Sequence, residues 1–195
     1  MKKAFLLVLI LFVSVISTAC INNLAVQELN SKAKDYLNKG DFENAISRLK
    51  SSIDLDSTIF ETHYNLGIAY TQAEKYPEAV ETFQSAIKLK PDFTDTYYSL
   101  AVAQENYAKG IIDGSLKNKD EKIETKDLEI EQPKKELTKE EKVQVEKLLN
   151  DSIVSYSTYL EKGQDIEDKK DVEEKIEYLK TQALKYSSDT KTSIE

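Results

Sequence analysis

The sequence predicts an all-α solenoid built from about three helix–turn–helix repeats and closed by a terminal helix. Small and bulky apolar residues recur with a period of 34 residues between residues 26 and 109, and each stretch keeps helical spacing. Only five glycines and three prolines occur in 195 residues, which is too little turn chemistry for a sheet protein. The fold class therefore follows from both periodicity and composition.

The clearest repeat spans residues 60–93. Gly67 is expected to let two antiparallel helices approach closely, while Phe83 fills the seam between them. Pro91 then ends the second helix. The remaining positions of the pattern are His63, Leu66, Tyr70, Ala79 and Ala86. This pattern resembles the tetratricopeptide repeat, which implies stacked helix pairs.

The preceding period, residues 26–59, repeats this pattern. Gly40 supplies the expected helix stop, and Asp41-Phe42 restarts the chain as a second helix. Its matching positions are Leu29, Ala33, Tyr36, Ala45, Leu49 and Ser57. Across both repeats and the start of a third, we expect helices at residues 26–39, 42–55, 59–73, 77–88 and 94–109.

The third repeat is predicted to be interrupted. Tyr97, Leu100 and Ala101 suit its first helix, but Asp113 falls where the second helix needs a small residue. Residues 152–160 instead align with residues 79–87 of the second repeat. We therefore predict that residues 110–137, which are highly charged and aperiodic, are a flexible insertion.

Two further helices are predicted after the insertion. Thr138 and Glu141 form a capping-box pattern at the start of a helix that runs to about Leu160. The first half of this helix is expected either to project from the stack or to pack against the end of helix 94–109. Residues 168–186 then supply a capping helix within the predicted region 138–187, followed by a tail at 188–195. Its apolar positions are Val172, Ile176, Leu179 and Ala183.

The N-terminal residues predict an export signal. Lys2 and Lys3 precede an apolar run at residues 4–13, and Ser17-Thr18-Ala19 leads into the sole cysteine. This resembles a bacterial lipoprotein signal peptide at residues 1–19, with Ser17 standing where such signals usually carry leucine. The resemblance implies fatty-acyl (palmitate) chains on Cys20 and a short lipidated tether at residues 20–25.

Two alternatives remain for this segment: a plain signal peptide cut after Ala19, and a retained membrane anchor interrupted by Ser14, Ser17 and Thr18. Lipidation would place the protein in the bacterial cell envelope, anchored to a membrane and facing the periplasm or the cell surface. The sequence does not define the leaflet or the oligomeric state.

Charge and residue chemistry exclude several function classes. The net charge of −8 and the absence of a basic stripe argue against nucleic-acid binding. His63 is the sole histidine and occupies a packing position, so we interpret it as structural rather than catalytic. No cysteine–histidine cluster or glycine-rich phosphate loop is present, and we expect neither a cofactor nor a metal nor enzymatic activity.

The family resemblance implies a concave groove, lined by the first helix of each repeat, that binds a peptide or protein. Tyr64 and Tyr98 have an alternative interpretation as half-buried packing residues. Glu61 and Asp95 make the rim acidic and favour a basic partner segment, whereas Asn65 alone matches the carboxylate clamp of chaperone-binding members. The groove positions are Asn30, Lys34, Glu61, Tyr64, Asn65, Ile68, Gln72, Asp95, Tyr98, Ser99 and Val102, with Gln27 and Leu37 beside them.

These features lead to two hypotheses. The first is a membrane-tethered scaffold that recruits a protein or peptide partner in the cell envelope. The alternative is an accessory of envelope enzymes, or a glycan- or lipid-binding protein, although the absence of tryptophan disfavours sugar stacking.

Overall fold

The computed structural model describes residues 23–116 and 136–191, with side chains up to residue 187. These residues form seven α-helices and no strands, so the predicted all-α fold is confirmed. The chain divides into two compact units, one ending at Lys90 (unit 1) and one beginning at Pro91 (unit 2). The predicted signal peptide, Cys20 and residues 117–135 of the predicted insertion lie outside the described residues. Within the described part, no helix is long and apolar enough to span a bilayer.

Unit 1 consists of two helix pairs. Helix α1 covers residues 23–38, α2 Phe42–Leu55, α3 Phe60–Gln72 and α4 Tyr76–Leu89. These bounds lie within three residues of the predicted ones. Helix α1 already includes residues 23–25, which the sequence assigned to the tether, and the side chain of Val26 in its first turns is buried.

The two intra-repeat turns of unit 1 are equivalent. Gly40 and Glu74, one period apart, both adopt positive φ, at 72° and 58° respectively. In each turn the following amide closes the end of the preceding helix: Asp41 N donates to Tyr36 O, and Lys75 N donates to Tyr70 O. The repeat geometry therefore requires the left-handed conformation even where the residue is not glycine.

The core of unit 1 depends on close contact between helices α3 and α4. A Cβ atom added to Gly67 would lie 2.6 Å from Cε1 of Phe83, which is fully buried. This confirms the predicted role of glycine at that position. Alanines at the seams of the two repeats are likewise fully buried: Ala33, Ala45, Ala69, Ala79 and Ala86.

Unit 2 contains three longer helices. Helix α5 spans Asp95–Asp113, α6 Lys139–Lys162 and α7 Lys169–Lys191. Helix α5 continues four residues beyond its predicted end at Lys109 and stops at Gly114, which has φ 72°. Residues 110–113, which the sequence assigned to the insertion, are therefore helical, because Gly110 is buried and Ile111 and Ile112 pack against the core.

Helix α6 begins with the predicted capping box, in which Thr138 N donates to Glu141 Oε2 and Glu141 N donates to Thr138 Oγ1. Of the two alternatives for its first half, the structure shows packing on α5: Val145 is fully buried, and Gln144 donates to the hydroxyl of Tyr107 at 2.8 Å. Helix α7 closes the unit through the four predicted residues, Val172, Ile176, Leu179 and Ala183, all of which are buried.

Candidate functional site

The first helix of each repeat (α1, α3 and α5) carries a packing position that recurs in all three repeats. On α3, Tyr64 meets Phe83 of α4 edge-on, with ring centroids 6.0 Å apart. One period later on α5, Tyr98 meets Tyr156 of α6 edge-on at 5.5 Å. Tyr156 is the residue that the sequence alignment paired with Phe83. The second helix of repeat three therefore occupies the structural position predicted for it beyond the insertion.

Asn30 holds the same position in the first repeat and also points inward. Its Nδ2 lies 3.0 Å from Val26 O, 2.9 Å from Ser52 Oγ and 3.0 Å from Thr62 Oγ1. The Val26 carbonyl can only accept, so this contact fixes the orientation of the amide. Asn30 Oδ1 is consequently left buried without a hydrogen-bond partner among the described residues. Asn30 thus joins α1, α2 and α3 rather than presenting its amide to a groove.

The other predicted groove residues of unit 1 lie at exposed or partly buried positions of α1 and α3. Glu61 and Gln72 of α3 are exposed, whereas Asn65 and Ile68 are partly buried. These four residues follow helical spacing and form one stripe, which we call the α3 stripe. Lys34 is exposed on α1, the helix that Asn30 links to α3.

In unit 2 the predicted groove residues separate into exposed and packed ones. Asp95 is exposed in the first turn of α5, and Ser99 is partly buried. Val102 packs against the unit 2 core. Tyr98 also meets Tyr159 of α6 at 5.2 Å, although 37% of its surface stays accessible. Both tyrosine positions are therefore partly packing residues, in agreement with the alternative interpretation.

A cleft of about 360 Å³ lies between the first turns of α1 and the start of α3 in unit 1. We call it cleft 1. Its wall brings together the predicted groove residues Gln27, Asn30 and Glu61. The other lining residues are Asn23, Val26, Asp56 and Ile59. Thr58 donates to Asp56 Oδ1 through its hydroxyl at 2.6 Å and its backbone amide at 2.9 Å, and these hydrogen bonds lower the pKa of this carboxyl.

A second cleft of about 410 Å³, cleft 2, lies in unit 2 between the start of α5 and the loop that joins α6 to α7. The Tyr159 hydroxyl donates to Asp168 Oδ1 at 3.1 Å. Burial, followed by this hydrogen bond and the charges of Asp168 and Asp95, raises the pKa of Tyr159 to about 12. The residues that line cleft 2 are Thr94, Asp95, Tyr159, Gly163, Gln164, Asp165, Ile166, Glu167 and Asp168.

The two clefts are equivalent within the repeat. Gln27 of cleft 1 corresponds by period to Asp95 of cleft 2, and Ile59 and Glu61 correspond to Ile166 and Asp168 through the alignment of residues 152–160. Each cleft is thus formed by one first helix and by the loop that enters the next. The sequence analysis identified the helix residues but missed the loop residues, although the alignment beyond Leu160 could have located them.

Catalytic chemistry is not apparent in residues 23–116 and 136–187. This part of the chain contains no cluster of histidine, cysteine, aspartate and glutamate able to hold a metal ion. His63 is partly buried, and its Nε2 lies 2.9 Å from Ser57 O, as suits a structural residue.

Comparisons with known proteins agree with this geometry. Residues 60–93 match a family model described as tetratricopeptide repeat, and residues 33–73 match a second described as TPR repeat. These residues therefore form tetratricopeptide-type repeats. No curated protein shows significant sequence similarity to the chain.

Solved tetratricopeptide domains share the fold. The first such domain of human RPAP3 aligns with TM-score 0.57 and 16% identity over 82% of this chain and 95% of that one. The second human RPAP3 domain, solved with the HSP70 peptide SGPTIEEVD, aligns with TM-score 0.56 and 15% identity over 80% of this chain and 98% of that one. The first domain of Spaghetti (RPAP3), bound to the HSP90 peptide SRMEEVD, aligns with TM-score 0.56 and 16% identity over 83% of this chain and 94% of that one. At these identities the likeness defines the fold.

Proposed function

We propose that this protein is an interaction scaffold that binds a peptide or protein partner in a concave groove lined by the accessible residues of its first helices. The observation that supports this most directly is the α3 stripe, where Glu61, Asn65, Ile68 and Gln72 combine amide, carboxylate and apolar groups along one accessible helix face. Amides can pair with a peptide backbone, while Ile68 offers apolar contact. Peptides held by similar folds, as in the HSP70 and HSP90 complexes of RPAP3, support this assignment.

Site-specific photocrosslinking tests the proposed face. A photoreactive residue at position 65 or 68 is expected to crosslink a partner in the cells that produce the protein. The matched control places the same residue at Glu81, which is exposed on α4. Equal crosslinking from position 81, or none from positions 65 and 68, would reject this face as the binding surface.

We further propose that the scaffold is tethered to a membrane of the bacterial cell envelope through acyl chains on Cys20. The proposal is supported by the lipoprotein-like signal at residues 1–19, and multiple acyl chains would give more than the marginal binding of one. Metabolic labelling with a palmitate analogue is expected to mark the wild-type protein and not Cys20→Ser. Label on the serine variant, or its absence from the wild type, would contradict lipidation.

A further inference from the structure

Unit 1 exposes its large apolar side chains at one end. Among residues 23–90, the large hydrophobic side chains that stay exposed are Leu24, Leu55 and Leu89. Leu24 lies in the first turn of α1, whereas Leu55 and Leu89 are the last residues of α2 and α4. In antiparallel helix pairs joined by short loops, the start of each first helix and the end of each second helix lie together. We call this end of unit 1 the leucine end.

Contacts between the helices agree with this placement. The first turn of α1 precedes the Asn30–Ser52 hydrogen bond by about two helical turns and therefore lies near the end of α2. Lys90, which follows Leu89, has its Nζ 5.0 Å from the ring centroid of Phe60, the first residue of α3. Cleft 1 is formed at the same end, because the first turns of α1 and the start of α3 line it.

Repeat packing does not account for the apolar side chain at Leu24. One and two periods later, the same position holds Thr58 and Asp92, which are polar. Val26, on the same turn of α1, is buried in the core, while 68% of the surface of Leu24 is exposed. An apolar residue at this position therefore contributes little to the fold of unit 1.

The N-terminal segment joins unit 1 at the leucine end. Cys20, the proposed acylation site, lies three residues before Asn23, where α1 begins. This distance is at most about 11 Å, because an extended chain spans no more than about 3.6 Å per residue. The opposite end of unit 1 lies about 24 Å farther away, given the length of α1 over residues 23–38. Acyl chains on Cys20 would therefore bring lipid to the leucine end and not to the opposite one.

Charges at the leucine end are of both signs. Two aspartates flank Leu55 and two lysines flank Leu89, namely Asp54, Asp56, Lys88 and Lys90. Since these charges balance, attraction to an anionic surface does not determine what the leucine end contacts. Leucine side chains gain free energy on leaving water, and lysine stems can cover apolar surface while their charge stays hydrated. An uncharged lipid surface therefore suits this end.

We propose that the leucine end of unit 1 rests on the membrane to which the protein is tethered, with its three leucines inserted at the boundary between headgroups and acyl chains. This inference rests on the proposed acyl tether and specifies how the tethered protein meets the bilayer. The α3 stripe then runs from Glu61 near the membrane to Gln72 away from it, so its far part stays accessible to a partner.

Fluorescence quenching in phosphatidylcholine vesicles tests this contact. The full-length protein, isolated from the cells that produce it, carries an environment-sensitive fluorophore at one of three exposed positions, which keeps all three leucines intact. Positions Asn23 and Ser57 lie at the leucine end, and Lys39 lies at the opposite end. Lipids with a nitroxide near the headgroup are expected to quench the fluorophore at positions 23 and 57 and to leave position 39 unaffected.

Two results would overturn the proposal. The first is no quenching at position 23, or equal quenching at positions 23 and 39. The second is blue-shifted emission at position 23 that the nitroxide lipids do not quench, because this would assign the leucines to a protein contact such as a second copy of the chain.

Leu24→Ser and Leu184→Ser form a matched pair, because 68% of the surface is exposed for each leucine. Leu24→Ser is expected to reduce quenching at position 57 by about half, since it removes the most exposed of the three inserted leucines. Leu184→Ser, on α7, is expected to leave this quenching unchanged, and circular dichroism checks that both variants fold. A reduction no larger for Leu24→Ser than for Leu184→Ser would reject the insertion of Leu24.

Acylation and the membrane contact can fail independently. Palmitate label on the protein without quenching at position 23 would reject the contact and preserve the tether. Quenching at position 23 in a protein without label would preserve the contact and reject acylation, in favour of a retained N-terminal anchor. Absence of both would reject both, while crosslinking from positions 65 and 68 still reports the scaffold function.

Discussion

Unit 1 and unit 2 fill the same repeat positions with different chemistry. In unit 1, Phe83 of α4 packs directly over Gly67 in an apolar contact. In unit 2, Ala101 takes the place of Gly67, and its carbonyl accepts a hydrogen bond at 3.0 Å from Ser152, the counterpart of Ala79. Fully buried serine is tolerated there because its hydroxyl is paired.

This polar replacement extends along the α5–α6 interface. Ser155 donates to Gln104 Oε1 at 2.9 Å, and the hydroxyl of Tyr156 donates to Glu105 Oε2 at 3.2 Å. Lys175 of α7 also donates to Glu105, at 3.0 Å, and so joins the capping helix to the same network. At these positions unit 2 thus keeps side chains of similar size to those of unit 1, and the hydroxyls of Ser152, Ser155 and Tyr156 each donate a hydrogen bond.

The first prediction concerns the apolar contact of unit 1. Gly67→Leu is expected to lower the free energy of unfolding by more than about 3 kcal/mol, because even a Cβ atom at this position would lie 2.6 Å from Phe83. Thermal denaturation followed by circular dichroism measures the change. Ser51→Leu, at an exposed position of α2, is the matched control and is expected to leave the midpoint nearly unchanged. A similar midpoint for both variants would contradict the helix contact.

The second prediction concerns α6, the longest helix of the described part of unit 2. Leu149→Ala is expected to cost about 2–4 kcal/mol, because this buried side chain belongs to the core formed by the first half of α6. Val154→Ala on the same helix, where 64% of the valine surface is exposed, provides the control. Chemical denaturation that gives equal stabilities for the two variants would show that this half of α6 is not part of the core.

Sequence reasoning predicted the repeats of unit 1 more accurately than the length of the helices in unit 2. The 34-residue period located Gly67, Phe83 and the alanine positions, since their size is dictated by local helix contact. The end of α5 was misplaced because residues 110–113 were grouped with the charged, aperiodic segment that follows them, whereas Ile111 and Ile112 pack against a core contributed in part by α6. That contact joins distant residues, so local periodicity could not show it.

The residues of the candidate site were also predicted only as far as local periodicity allows. Periodicity placed Glu61, Asn65 and Asp95 on the correct helices, but it could not distinguish inward from outward side chains. Asn30 and Tyr98 both face the second helix of their repeat, where Asn30 contacts Ser52 and Tyr98 contacts Tyr156. The loop residues of cleft 2 follow the repeat only through the alignment of residues 152–160, which the sequence analysis did not extend beyond Leu160.

The third prediction concerns two tyrosines of unit 2, the buried Tyr156 and the partly buried Tyr159. Burial and the charge of Glu105 raise the pKa of Tyr156, and burial with the Asp168 hydrogen bond raises that of Tyr159 to about 12. The folded state therefore keeps protons that the unfolded chain releases near pH 10, and stability is expected to fall as pH rises from about 10 to 12. The double variant Tyr156→Phe/Tyr159→Phe is expected to flatten this decline. An unchanged slope in thermal denaturation would contradict the assignment.

The last prediction has the smallest expected effect and concerns the connection between α5 and α6. Deleting residues 117–132 is expected to change the free energy of unfolding by less than about 1 kcal/mol, because shortening a connection alters closure entropy only slightly. The helix ends on either side of the deletion are stabilised locally: α5 ends at Gly114, which is left-handed, and α6 begins with the capping box of Thr138. The side chain of Gln144 on α6 also donates a hydrogen bond to the hydroxyl of Tyr107 on α5. Chemical denaturation measures the change. Loss of cooperative unfolding in the deletion variant would show that these residues contribute to the core of unit 2, and that α6 depends on more than its contacts with α5 and α7.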